Sequence, residues 1–287
     1  AGDNTYVNGT LDVLRSQRIF NTTVDMGAHE YTTAIILAPQ VYLQGALLSG
    51  GTLMNDALRI GNNIPTTAPY ADAATCNATV FTATGNDAIV DWIWVELRDA
   101  ASNTTIVASQ SALLQRDGDV VAVDGISPLV FNEGAGNYYV VLKHRNHLGV
   151  MTNNTVSLSE ATTVVDFTEA NNQITFGNNS QTTFGVPSGV VAMWAGNVNG
   201  DDIVQYSGTA PDAPSVLSEV LNASGNFLNF PTYVLEEYNA NDVNMDGNTQ
   251  YTGTTPDTPF ILQNVLAHPG NFLNFSTYQI QEQLPEN

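Results

Sequence analysis

Asp242, Asn244, Asp246, Asn248 and Gln250 set oxygen-bearing side chains at alternate positions of one short stretch, with Gly247 among them. Taking Asp242 as position 1, acids and amides fall at 1, 3, 5 and 9 and the glycine at 6, while Asn248 at 7 offers its carbonyl. This pattern suits a hard divalent cation, because alternate side chains converge on one centre and the glycine makes the sharp turn. The order recurs 45 residues earlier as Asn197, Asn199, Asp201, Ile203 and Gln205, with the Ile203 carbonyl at position 7. That copy is poorer: Asn197 replaces the leading acid, and Asp202 takes the glycine position. Position 12, where a bidentate acid is expected, holds Gly208 and Gly253. Asp212 and Asp257, four residues further on, are the duplicated acids left to complete each set. Two structural Ca2+ sites are therefore expected. The competing reading is a pair of Asx-turns capping the helices that follow.

The repetition extends past the loops. Across 197–236 against 242–281, 21 of 40 positions are identical without a gap, so the chain carries a duplicated unit. Each unit predicts a loop, a helix and an aromatic return. Pro214 and Pro259 fit the first turn of a helix, where a missing N–H costs nothing. Val216, Leu217, Val220 and Leu221 then form an apolar stripe, as do Ile261, Leu262, Val265 and Leu266. Gly225-Asn-Phe-Leu-Asn-Phe230 returns intact as Gly270-Asn-Phe-Leu-Asn-Phe275. Two short helices, each led by a cation loop, resemble the dockerin module. The glycines at position 12 depart from that module's pattern.

Before residue 194 the chain predicts strands. Ala88–Asp99, Thr105–Ala108, Val120–Val123, Tyr138–His144, Thr163–Phe167 and Val190–Trp194 are among apolar runs about a dozen residues apart, separated by turn residues. The fold class expected is mainly β: an Ig-like or jelly-roll-type β-sandwich over 31–193, then a small dockerin-like α domain with two calcium loops over 194–287. Residues 1–30 read as an arm with no core of its own, which either docks on a neighbouring subunit or packs back on its own domain.

In the strand at 88–99, alternation puts Ile89, Ile93, Val95 and Leu97 on one face and Trp92, Trp94, Glu96 and Arg98 on the other. The tryptophan pair is a candidate sugar platform or subunit interface, or else lies under a second layer. His144 and His147 sit three apart, which on a straight strand sends them to opposite faces and makes a poor metal pair. Bonds from His144, Arg145 and Asn146 to a turn carbonyl and a carboxylate are expected instead. Arg116, Asp119 and Asp124 read as a turn network, with a third cation site as the alternative. No nucleophile elbow, phosphate loop or Cys–His pair occurs, so catalysis is not expected.

A net charge of −21 with seven Lys and Arg argues against nucleic acid and anionic membranes as partners. No apolar run approaches the roughly 20 residues of a membrane span. The single Cys76 has no partner in the chain for an internal disulfide, and eight Asn-x-Ser/Thr triplets are present.

Two further resemblances concern the whole chain. Val24-Asp-Met-Gly-Ala-His-Glu-Tyr31 is similar to the segment that closes parallel β-helix domains in bacterial surface proteins, so 1–30 would be the remnant of such a neighbour. Leu53-Met-Asn-Asp-Ala-Leu-Arg59, Asp91-Trp-Ile-Trp-Val-Glu-Leu-Arg98, His144-Arg-Asn-His-Leu-Gly149 and Glu282-Gln-Leu-Pro285 resemble the C-terminal region of large secreted hemagglutinin-like proteins of gliding bacteria with type IX secretion. The resemblance implies an extracellular, cell-surface location and no established chemistry. The expectation is a calcium-stabilised structural or adhesion protein that self-assembles as a filament or adhesin-stalk subunit, its partners being further copies or other surface proteins. The alternative is a carbohydrate- or partner-binding module.

Overall fold

The computed structural model describes residues 34–47, 51 and 53–285, together with the backbone of two short strands in the first 30 residues. Those strands, β1 (Ile19–Phe20) and β2 (Thr23–Val24), pair antiparallel. The rest of the expected arm lies outside the described residues.

Next come β3 (Ile35–Gln40), a one-turn helix α1 (Ala57–Ile60), β4 (Ile89–Asp99), β5 (Ser102–Gln115), β6 (Val120–Val121) and β7 (Leu129–Phe131). Further on lie β8 (Gly136–His144), β9 (His147–Met151), β10 (Val156–Leu158) and β11 (Thr163–Asp166). One sheet runs β10-β8-β4-β5-β6, with β9 folded back on β8. A second runs β11-β3-β7, in which β11 is parallel to β3 and β7 antiparallel. The chain is thus mainly β with several sheets. Ile35 and Leu37 of β3, Leu129 and Phe131 of β7 and Val165 of β11 share one buried cluster with Ile93, Val95, Leu97, Ala112, Leu114, Val140 and Leu142 of the larger sheet. Two sheets with their apolar sides in one cluster are the arrangement of a β-sandwich.

β5 is far longer than the Thr105–Ala108 expected, because its serines and glutamines take part in the ladder to β4, with Ser102 opposite Asp99 and Gln115 opposite Ile89. Gln173–Phe176 forms no strand and contributes a single bridge, between Thr175 and Thr152.

The remaining elements are β12 (Gln181–Thr182), β13 (Ala192–Met193), β14 (Ile203–Val204), α2 (Ala213–Asn222), α3 (Thr258–Ala267) and β15 (Ile280–Gln281). Both helices carry proline in the first turn, as expected. Val216 of α2 and Ile261 and Val265 of α3 meet Trp194, Val204, Val243 and Ile280 in a second buried cluster. β14 pairs with β15, which ties the first loop of the repeat to the chain's last strand.

The repeat does not stand clear of the sheets. The Gln44 and Asn264 side-chain amides bond each other reciprocally, at 2.8 and 2.9 Å, and both are fully buried. Leu148 of β9 belongs to the second cluster, and Met245 of the second loop to the first. A Cβ on Gly45 would overlap the Val243 carbonyl, so the two backbones pass too close for any other residue there.

Candidate functional site: two carboxylate-centred loops

The second loop is built around two acids that are both fully buried, Asp242 and Asp257. Asp242 accepts from the Asp246 and Gly247 amides at 3.1 and 3.0 Å. Asp257 lies beyond the loop but closes it. Its Oδ1 accepts from Val243 N at 2.6 Å and Asn244 N at 3.2 Å, and its Oδ2 from Gln250 N at 2.8 Å. Asn244 Oδ1 accepts from Asp246 N at 2.9 Å, and Asp246 Oδ1 from Asn248 N at 2.9 Å. The first loop repeats the plan. Asp212 accepts from Val198 N at 2.9 Å and Gln205 N at 2.8 Å, while Asn197 and Asn199 accept from Asp201 N, and Asp201 from Ile203 N.

Backbone conformation follows the same template. Positions 4 and 6 of both loops are left-handed: Met245 (φ 54°) and Gly247 (88°) in the second, Gly200 (71°) and Asp202 (63°) in the first. The glycine has moved from one left-handed position to the other. Asp is among the residues that tolerate the second, so Asp202 does not spoil the turn.

Helix capping is not what Asp212 and Asp257 do. Each stands at the N-cap of its helix, yet neither side chain accepts a capping bond; the carboxylates turn back to the loop amides. The Asx-turn reading therefore fails for these two acids. It holds inside the loops, where Asn244 and Asp246 bond two residues ahead.

The position-9 glutamines, expected as ligands, are engaged elsewhere. Gln205 donates to the Thr277 carbonyl at 2.6 Å and accepts from Ala210 N at 2.9 Å. Gln250 accepts from Thr254 N at 3.2 Å and reaches the Thr255 hydroxyl at 3.3 Å. This explains the position-12 glycines. Gly208 and Gly253 have φ of 138° and 157°, and a Cβ on either would strike the amide of its loop's glutamine.

Electrostatically the acids are only partly compensated. Burial pushes the Asp242 carboxyl up to about 7, reinforced by Asp246 and opposed by Arg145. Burial and the neighbouring Asp242 push Asp257 well above the ordinary carboxylate range. Asp212 rises to about 7, chiefly by burial and then through Asp201, against the amides that bond it. Buried carboxylates left in this condition call for a cation or a proton. The oxygen-only donor set (Asp242, Asn244, Asp246, the Asn248 carbonyl and Asp257) fits a hard divalent ion. Among the described residues no three His, Cys, Asp or Glu side chains gather into a metal-binding group, so Asp242, Asp246 and Asp257 do not stand as a preformed three-carboxylate site.

The sheet braces the second loop. Asn146, in the β8–β9 turn, donates to the Ala240 and Asp242 carbonyls at 3.0 and 2.8 Å. Beside it, Arg145 bonds Asp91 at 2.9 Å and the Asn239 carbonyl, with its guanidinium over the Tyr238 ring. Tyr238 in turn donates to Asp91 at 2.6 Å. Burial alone would raise Asp91, but Arg145 and the bonds from His144 and Tyr238 hold it down to about 2. The expected turn-carbonyl and carboxylate bonds at 144–146 are present. The sequence reading missed Asp91 and Tyr238, which only a polar residue within an otherwise apolar strand could have signalled.

The tryptophan platform is corrected. Trp92 is fully buried, its indole donating to the Pro65 carbonyl at 2.8 Å. Trp94 is half-buried, tilted against Tyr70 and bonded to Glu96 at 3.1 Å. The 65–72 segment covers both rings. Arg116, Asp119 and Asp124 do not converge on one point: Arg116 bonds the Met54 carbonyl and pairs with Asp56 at 3.6 Å, Asp119 accepts from Gln40, and Asp124 caps its own turn.

No protein-family model matches the chain, and no curated protein matches it. Among solved structures, a chain from an interface mutant of a type II cohesin–X-dockerin complex of Acetivibrio cellulolyticus is similar at 14% identity. The match covers 81% of this chain and 94% of that one with a TM-score of 0.33, and so carries no argument about fold or function.

Proposed function

We propose that this chain is an extracellular, calcium-stabilised binding module without catalytic activity, in which a β-sandwich and a duplicated cation-loop unit form one scaffold for another macromolecule. The observation that carries this reading is the pair Asp242 and Asp257, both fully buried, held by loop amides and short of positive charge. Bound Ca2+ would supply that charge and stiffen the loop. Asn146 joins the stiffened loop to the sheet. Sites of this kind in extracellular modules have affinities of about 10⁻⁴–10⁻³ M, suited to millimolar calcium outside cells. The best candidates for acid–base chemistry, His144 and His147, are buried and committed to internal bonds. A self-assembling filament subunit, the other reading of the sequence, depends on residues 1–30.

Amide hydrogen exchange on metal-stripped and calcium-loaded protein tests the proposal. Protection should rise across 197–212 and 242–257 on adding calcium. Equal protection in both states would defeat the calcium reading. Sedimentation separates module from filament, since a module stays monomeric in calcium.

A further inference from the structure

The hexapeptide shared by both repeats places apolar side chains where none should be left without a reason. Phe227 is 89% exposed, Leu228 72% and Phe230 55%; in the second copy Phe272 is 87%, Leu273 71% and Phe275 56% exposed. These six residues stand on turns that are held rigidly and alike. The Asn226 amide, itself buried, donates to the Val220 and Phe230 carbonyls at 2.8 and 2.9 Å and accepts from Phe230 N at 2.8 Å. Asn271 makes the same three bonds with Val265 and Phe275. Asn229 and Asn274 are left-handed with φ of 51° and 53°, and Gly225 and Gly270 lie against the Tyr233 and Tyr278 hydroxyls, where a Cβ would collide. The turns are therefore preorganised, and ordering them on contact costs little. Exposed aromatic clusters of this kind mark interaction sites.

Charge identifies the occupant. No Lys or Arg follows Arg145, so every side chain after it that is charged at neutral pH is acidic. A second copy of this region would bring like charge to the contact, and an anionic membrane would be repelled. A protein that offers apolar pockets edged with Lys and Arg would be attracted. We propose that the Phe227–Phe230 and Phe272–Phe275 turns are twin docking points for such a basic-rimmed partner protein. Two equivalent points allow one partner to bind bivalently, or two to bind alike. The proposal rests on the binding-module reading and names the surface that reading requires.

Panning a library of displayed random peptides on the calcium-loaded full chain tests it, the enriched peptides then being measured, without prior counter-selection, against a variant carrying F227S, L228S, F272S and L273S. Asn226 and Asn271 are kept, so that the turns persist. Enriched peptides should combine aromatic or aliphatic residues with Lys or Arg, and the variant should bind them at least tenfold more weakly. Variants altered in one turn alone should retain part of the binding. Peptides without basic residues, or equal binding to the variant, would overturn the proposal. So would self-association, or binding to phosphatidylcholine vesicles, that the variant abolishes, since the occupant would then be a second copy or a lipid surface. Melting of the variant with and without calcium separates the two readings: a lost calcium effect in the parent chain sinks the loops, whereas unchanged melting with lost peptide binding isolates the turns.

Discussion

The Nδ1 atoms of His144 and His147 lie 3.0 Å apart, with the rings edge to face, although a straight strand would part the residues. The β8–β9 turn at Arg145-Asn146 brings them together. His144 Nε2 faces the Asp91 carboxylate at 3.1 Å, and the Gly45 amide donates to His147 Nε2 at 3.1 Å. Both rings can be satisfied only as neutral imidazoles, with His147 protonated on Nδ1 and His144 on Nε2. Burial lowers both; His147 falls further, because His144 and Arg145 add to it, while Asp91 partly restores His144.

A pH dependence follows. A free histidine titrates near about 6.5, so below that the unfolded chain takes up protons that the folded chain refuses. The stability contributed by the neutral pair is present above that pH and is lost as pH falls through it. In saturating calcium, unfolding free energy should fall by about 1.4 kcal/mol for His147 alone between pH 7.5 and 5.5. His147→Gln should flatten that slope. An unchanged slope would mean that His147 is protonated in the fold.

Asp91 anchors the same network. Replacing it with Asn leaves the buried Arg145 without its carboxylate partner. The expected cost is about 3–5 kcal/mol in denaturant unfolding. A loss below about 1 kcal/mol would show that Tyr238 and the Asn239 carbonyl suffice.

Trp92→Ala should cost about 3–5 kcal/mol, as for a large core side chain. An exposed sugar platform would instead leave the denaturation midpoint nearly unchanged.

Gly253→Ala tests whether the Gln250 amide is what requires glycine at position 12. The added methyl meets the Gln250 amide, at a φ of 157°. Destabilisation above about 1 kcal/mol is expected, together with weaker calcium binding. Gly134→Ala, where a Cβ meets open space, is the control.

The duplicated loops, the paired helices and a mainly β body were legible because each rests on spacing within a short stretch. Asp212 and Asp257 could be picked out as loop acids for the same reason: repetition marked them when position did not. The fate of Gln205 was not legible, since Thr277 enters only after the chain returns, whereas Gln250 turns to its near neighbours Thr254 and Thr255. For Trp92 the second-layer alternative holds over the platform, but the segment that supplies the layer was not legible. The cover from Pro65 to Asp72 has no periodic pattern, so nothing in it announced a second layer. The hexapeptide was read only as an aromatic return; in the structure Asn226 and Asn271 are buried while the phenylalanines stay exposed.

Thermal unfolding of metal-stripped protein, with and without about 10 mM calcium, tests the account most directly. At affinities of about 10⁻⁴–10⁻³ M each site adds about 1.4–2.7 kcal/mol, so the parent chain should melt several degrees higher in calcium. A chain carrying Asp212→Asn and Asp257→Asn should show little of that rise. Identical melting of the parent chain in both conditions, or an undiminished rise in the double variant, would contradict it.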